Sequence, residues 1–217
     1  QPLTKAGLKV SPDCELIVTA QPDKYVSRGA IKLEGALADF GIEVTGKVAI
    51  DVGQSTGGFT DCLLQHGAKA VVGIEVGHDQ LDVSLRNDPR VTCYEGMNAR
   101  SLPADLLEHT LPSGEGFDIA VMDVSFISQT KILPSLTPLL KSNSHLISLV
   151  KPQFEVGKAG IGKGGIVKDA SLFLQVEHVI RTTCQELNLK VLGYMESPIT
   201  GGDGNREFLL WAQKNND

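Results

Sequence analysis

The sequence predicts an α/β fold, a doubly wound and mostly parallel seven-stranded sheet with helices on both faces. Two observations predict it. From Lys47 onward, short β-branched apolar runs alternate with segments of helical periodicity, the pattern of strands buried on both faces and joined by crossover helices. A glycine-rich turn follows the first of those runs, where a doubly wound sheet opens its ligand crevice.

Taken in order, residues 1–24 stand apart. Gly7–Val10 and Cys14–Val18 read as two short strands around a Ser-Pro-Asp turn, too small to bury a core of their own. With Gln1 rather than Met in first place, the chain reads as a piece of a longer protein, residues 1–24 being the tail of a preceding domain plus linker and 25–217 the α/β domain. Ser27 is expected to cap a helix whose Ala30, Leu33, Leu37 and Phe40 face the core. Strands are expected at Val48–Val52, Ala70–Glu75, Val91–Tyr94, Ile119–Met122, Leu146–Val150, Val191–Met195 and Glu207–Trp211. Helices are expected at Phe59–His66, Lys131–Leu140 and about Ala170–Leu187, the last with Leu172, Val176, Val179, Ile180, Cys184 and Leu187 inward.

Composition narrows the function classes. Hydrophobic residues at 41% and charged residues at 21% suit one globular core. A net charge of −6 disfavours binding nucleic acid over the whole surface, so RNA contact would need local basic patches. Cys14, Cys62, Cys93 and Cys184 form no C-x-x-C pair and H-E-x-x-H is absent, which points to reduced thiols in a cytoplasmic protein and to no metal site. No apolar run reaches the roughly 18 residues of a membrane span.

Six segments could carry chemistry. Asp51 through Gly58 follows a buried strand and opens a helix, and Glu75 ends the next strand. Neither G-x-G-x-x-G nor the P-loop Lys-Ser/Thr is present, so the segment suits a nucleoside without phosphates, with Gly53, Gly57 and Gly58 permitting close backbone approach and Glu75 accepting ribose hydroxyls. Asn98, past the third strand, could read an adenine edge or serve a turn. Asp123 ends the fourth strand and precedes Phe126, which could stack on a base. Lys151 follows a buried apolar run, where an ammonium needs a partner or a task, and Asp123 is the candidate partner. The Gly201–Gly204 turn leads into Glu207. The stretch 157–168 carries Lys158, Lys163 and Lys168 among glycines and no acid, suiting a polyanion or simply solvent.

The runs Tyr25–Leu33, Asp51–Asp61, Asp123–Phe126, Val150–Phe154, Gly164–Val167 and Ser197–Phe208 resemble the TlyA family, whose members are also described as haemolysin-like; the resemblance spans about residues 5–212. It implies a Rossmann-like, class I S-adenosylmethionine-dependent methyltransferase of FtsJ type, acting on the 2′-hydroxyl of cytidine in ribosomal RNA. It also implies a catalytic tetrad at Lys32, Asp123, Lys151 and Glu207. Cofactor contacts are implied at Asp51, Gly53, Ser55, Thr56, Gly57, Gly58, Glu75, Asn98 and Asp123, and the substrate side at Arg28, Phe126, Lys158, Lys163 and Lys168. Which lysine is the base stays open. Two positions depart from the family: Glu75 stands where Asp is common, and Gln54 where a small residue is usual, so Gln54 is expected to crowd the cofactor. A membrane-active haemolysin and a non-catalytic ribosome-binding factor, the latter disfavoured by the intact tetrad but left open by a crowded Gln54, are the competing readings.

Overall fold

In the computed structural model, residues 23–216 are described; the strands expected at Gly7–Val10 and Cys14–Val18, and nearly all of the 1–24 segment, lie outside them. The order of elements is α1 (Gly29–Phe40), β1 (Val48–Val52), α2 (Gly58–Gln65), β2 (Ala70–Ile74), α3 (Val83–Arg86), β3 (Val91–Tyr94), β4 (Phe117–Met122), α4 (Leu133–Leu136), β5 (Leu140–Val150), α5 (Ala170–Glu186), β6 (Leu189–Glu196) and β7 (Phe208–Lys214). One seven-stranded sheet runs β3-β2-β1-β4-β5-β7-β6. Its first five strands are parallel, and β7 is antiparallel to both β5 and β6. The predicted doubly wound, mostly parallel sheet is therefore observed.

Alternation along each strand splits the core into two layers. Ile50, Val52, Ala120, Met122, Leu146 and Val150 pack with Val176, Ile180 and Cys184 of α5. Ala49, Ile119, Val121, Ile147 and Leu149 pack with Leu33 and Leu37 of α1 and Phe59, Cys62 and Leu63 of α2. This two-sided burial is why the strands read as continuous apolar runs. Among the described residues no helix is long and apolar enough to cross a membrane.

Four local expectations need correction. Helix α1 is capped by Arg28, without a side-chain cap, and not by Ser27. Ser27 instead packs on the start of α2, where a Cβ on Gly58 would fall 2.2 Å from its Oγ. The helix expected over Lys131–Leu140 is broken into a 3₁₀ turn at Gln129–Lys131, the one-turn α4 and another 3₁₀ turn at Thr137–Leu139, because Pro134 and Pro138 remove amide donors. Strand β5 begins at Leu140, with a bulge that sets Phe117↔Leu140 before Ile119↔His145; its polar first half hid it from a reading of apolar runs. Val179 of α5 faces solvent at 50% exposure, while Val176, Ile180 and Cys184 are buried.

Candidate active site

The carboxyl ends of β1, β2 and β4 diverge around a cavity of about 480 Å³, lined by Gly53, Ser55, Glu75, Val76, Asn98, Arg100, Asp123 and Ile127 among others. That volume lies in the usual small-molecule range of about 300–1,000 Å³. The loop after β1 turns over β2, the amides of Gly53 and Gln54 donating to Ile74 O at 2.9 and 3.2 Å. Gly53 has φ +82°, and a Cβ there would lie 2.3 Å from Asp123 O, so only glycine lets β1 and β4 end side by side. Glu75 takes Ser55 N–H on Oε2 and Gly77 N–H on Oε1, both at 2.8 Å. A carboxylate has about four acceptor positions, so the loop is held and acceptor capacity remains for a ligand hydroxyl. Asn98 Oδ1 accepts Arg100 N–H at 3.0 Å, so this residue both makes the turn and lines the cavity. The titratable lining is Glu75, Asp123 and Arg100, a lean toward negative that opposes phosphates and favours a cationic, hydroxyl-rich nucleoside.

Not all of the expected cofactor loop faces this cavity. Strand alternation turns Asp51 away from Ile50 and Val52, toward α2, where Oδ2 accepts from Thr60 Oγ1 at 2.7 Å. The Asp51 side chain is wholly buried and its Oδ1 has no partner; burial pushes its pKa up to about 7, with the Thr60 hydrogen bond opposing and the Asp123 charge adding. Thr56 is exposed and its carbonyl accepts Asp82 N–H at 3.1 Å. The missing side chain of Gly57 admits Leu85, whose Cδ1 lies 2.3 Å from where a Cβ would sit. Gly57 and Gly58 thus serve helix packing rather than ligand approach. Gln54 does not crowd the cavity: its side chain lies over Gly73, which faces Asp51 across β1 and β2, and its Nε2 donates to Thr60 Oγ1 at 2.8 Å. The space comes from the absent Cβ of Gly73, so a large residue at 54 fits where the cofactor was expected to suffer.

The four residues expected as a tetrad meet as two ion pairs. Asp123 leaves β4 with its amide on Val52 O at 3.0 Å. Its Oδ1 lies 2.5 Å from Lys151 Nζ, which also donates to Ser125 Oγ at 3.0 Å. Lys32 reaches from α1 to Glu207, Nζ to Oε2 at 2.5 Å, with side chains 10% and 3% exposed. Register explains the convergence. Val150 pairs with Phe208 in the antiparallel β5–β7 ladder, so Lys151 and Glu207 flank the same pair, while β4 runs parallel to β5 and ends at Met122 opposite Ser148, two residues before the end of β5. Gly201 makes room for the buried carboxylate: a Cβ there would be 2.6 Å from Glu207 Oε1.

On the outer rim, Phe126 is 90% exposed, at φ +64°. Holding an aromatic in that backbone region costs on the order of 1–3 kcal/mol. Its ring sits 5.0 Å from that of Phe154. The segment that carries it is fixed by Glu155, which accepts from Ser128 Oγ and, at 2.9 Å, from Gln129 N–H, and whose pKa burial raises. Arg28, Lys158, Lys163 and Lys168 are exposed. The structure brings the tetrad and Gly53, Ser55, Glu75 and Asn98 to one sheet edge, with Phe126 on the cavity rim. It leaves Asp51, Thr56, Gly57 and Gly58 behind the loop.

Sequence reasoning missed Arg100, Val76, Met97 and Ile127 as lining residues. Val76 carried a usable signal, an apolar side chain directly after a strand-end acid. It also missed Asn205, which is 1% exposed and joins two loops.

Residues 25–214 match the FtsJ-like methyltransferase family. The chain is 42% identical over 217 residues to the 16S/23S rRNA (cytidine-2′-O)-methyltransferase TlyA of Mycobacterium tuberculosis, covering all of this chain and 79% of that one. A solved chain from Lactococcus lactis described as a haemolysin is 41% identical, with a TM-score of 0.82 over 88% of this chain and 89% of that one. An S-adenosylmethionine-dependent methyltransferase from Mesorhizobium loti shares the fold, at a TM-score of 0.60 and 14% identity over 84% of this chain and 97% of that one.

Proposed function

The chain belongs to the FtsJ-like methyltransferase family, and we propose that it transfers a methyl group from S-adenosylmethionine to a ribose 2′-hydroxyl, of cytidine, in ribosomal RNA. The observation that carries this reading is the pairing of Lys151 with Asp123, the residue that also lines the cavity. An amine held beside a cofactor-sized cavity is placed to take a proton from an acceptor at its mouth. The relative's cytidine-2′-O activity on ribosomal RNA supplies the acceptor. A cytoplasmic location, with the ribosome, follows from that substrate.

The cavity fits the cofactor. Glu75 keeps acceptor capacity for ribose hydroxyls, Asn98 offers an amide, Val76, Met97 and Ile127 supply apolar walls for a base, and Asp123 presents negative charge. When bound, S-adenosylmethionine would supply an electrophilic methyl group on a sulfonium sulfur, the carbon–sulfur bonding pair staying with sulfur as a neutral thioether. Lys151, in its neutral form, takes the proton of the 2′-hydroxyl as its oxygen attacks. Asp123 and Ser125 hold the Lys151 amine in place. Lys32 is fixed by the buried Glu207, which follows the turn 201–204 and precedes β7. Lys151 is assigned as the base because its partner, rather than that of Lys32, faces the cavity. Phe126 stacks on the base of the reacting nucleotide, and most of the acceleration comes from alignment of oxygen and methyl carbon. The seating of Gln54 over Gly73 removes the ground for a non-catalytic factor.

Calorimetry with S-adenosylmethionine and methyl transfer to ribosomal subunits test the reading together. Wild type binds and methylates, Glu75→Ala loses most of its cofactor affinity, and Lys151→Ala binds the cofactor but transfers about 10²–10⁴ times more slowly. Cofactor binding without transfer to any ribosomal RNA would refute the substrate.

A further inference from the structure

We infer that Asn205 is a positioning residue that docks the lysine-bearing loop 157–168 on the rim of the active site, so that Lys158, Lys163 and Lys168 meet RNA phosphates flanking the reacting nucleotide. The inference rests on the RNA-methyltransferase reading above.

The bonds within the loop are short-range, Gly160 N–H to Gly157 O at 3.2 Å, Ile161 N–H to Lys158 O at 3.3 Å, Gly165 N–H to Gly162 O at 3.1 Å and Gly162 N–H to Ile166 O at 2.9 Å, and they shape its turns without tying it to the active site. Gly157, Gly164 and Gly165 all have positive φ, at 69°, 78° and 79°, and glycine-rich backbone loses the most entropy on being fixed. Its three lysines are exposed, and among the described residues none has a carboxylate within ion-pair distance. The neighbouring Asp169 is engaged in capping α5 through Ser171 N–H and Oγ, at 2.9 and 2.7 Å. In a chain of net charge −6, these are unneutralised cations held together on one loop.

Asn205 ties the end of the loop to the hairpin that carries Glu207. Its Oδ1 accepts Val167 N–H at 3.0 Å, and its Nδ2 donates to Gly165 O at 3.0 Å and to Asp203 Oδ2 at 2.7 Å. Three of the four bonds an amide side chain can make are filled, in a position 1% exposed. The backbone of Asn205 belongs to the turn that seats the catalytic carboxylate. Its carbonyl accepts Gly201 N–H at 2.9 Å, its amide donates to Asp203 Oδ1 at 2.9 Å, and Glu207 follows two residues later. One short hairpin therefore fixes the Lys32–Glu207 pair on one side and the end of the cationic loop on the other. Without the amide, Gly165 O and Val167 N–H lose their partner and the lysines become tethered charges with no fixed relation to the site.

The test compares wild type, Asn205→Ala and the triple variant Lys158→Ala/Lys163→Ala/Lys168→Ala. Hydrogen exchange at Val167, S-adenosylmethionine affinity, and KM and kcat for ribosomal RNA across a salt series are read for each. In Asn205→Ala, Val167 N–H exchanges at least about tenfold faster, cofactor affinity holds, and KM for RNA rises by more than kcat falls. The slope of log affinity against log salt becomes shallower by about 2, at roughly 0.7–0.9 for each phosphate no longer neutralised. The triple variant shows the same salt slope, and combining it with Asn205→Ala adds no further loss. A fall in kcat at constant KM, or additive losses, would overturn the inference. Should Asn205→Ala fail to fold, the triple variant decides alone: an unchanged salt slope sinks the proposal. If wild type neither binds nor methylates ribosomal RNA, the functional reading itself has failed; if it does both and the variants match it, only the role of Asn205 has.

Discussion

Gly73→Ala puts one methyl group where the Gln54 amide now lies. A Cβ on Gly73 would sit 2.0 Å from Gln54 Cδ and Oε1 and 2.2 Å from Nε2, well inside any tolerable contact. Gln54 is buried, and its Nε2 is bonded to Thr60 Oγ1, so it cannot swing aside without breaking that bond. The cost follows two routes to the same displacement. Overpacking a filled core costs about 1–3 kcal/mol, and a buried polar group stripped of its partner costs about 1–3 kcal/mol. Since one movement accounts for both, they do not sum, and about 2 kcal/mol is expected, a fall in Tm of roughly 4–8 °C for a chain of this size. Gln54 lies between Gly53 and Ser55, which line the cavity, so its displacement is expected to disturb that wall and lower S-adenosylmethionine affinity. Gln54→Ser vacates the space at a cost of about 1 kcal/mol for the lost bond, and in that background Gly73→Ala becomes nearly neutral and cofactor affinity returns. Urea unfolding and calorimetry on the four members of the cycle measure it. A coupling energy below about 0.5 kcal/mol would refute the placement of Gln54.

Three further outcomes are expected. Glu207→Gln leaves the Lys32 ammonium without its counter-charge in a site where the two side chains are 10% and 3% exposed, so urea unfolding should register a loss of about 3 kcal/mol together with loss of methyl transfer. Asp51 has its folded pKa raised from 3.8 to about 7 by burial, so the folded chain holds a proton that the unfolded chain has released. Its contribution to stability is present at low pH and is lost as pH rises from about 4 through 7; Asp51→Asn should flatten that decline in urea midpoints measured at pH 5 and pH 8. Phe126→Gly relieves a positive φ and should raise stability by about 1 kcal/mol in thermal unfolding while lowering transfer to ribosomal RNA; a less stable variant would mean that the strain is absent.

Legibility tracked the range of the interaction that decides each feature. Strands β1 (Val-Ala-Ile-Asp-Val) and β3 (Val-Thr-Cys-Tyr) could be placed to the residue, because short β-branched runs bounded by turn residues are a local signal, in a central strand and in a half-buried edge strand alike. The polar first half of β5 had no such signature: its start is set by the bulged pairing of Leu140 with Phe117 of β4, and the ladder with β7 begins only at His145↔Gln213. The breaks at Pro134 and Pro138 were local and readable, but an apolar period outweighed them. At the site, residue types were legible and directions were not. Asp51 and Glu75 both look like ligand acids at strand ends, yet the pleat aims Asp51 under α2 and the turn after β2 leaves Glu75 on the cavity.

By itself, then, the sequence determined the α/β class, the glycine turn at the sheet's carboxyl edge and, through its resemblance, the identity of the four charged residues. Only the tertiary structure decided that Lys151 pairs with Asp123 and Lys32 with Glu207, that Gln54 rests over Gly73, and that Asn205 ties the lysine loop to the turn before Glu207. Periodicity is a local property of the chain, whereas those pairings join residues brought together by strand order and register, which no window of sequence contains.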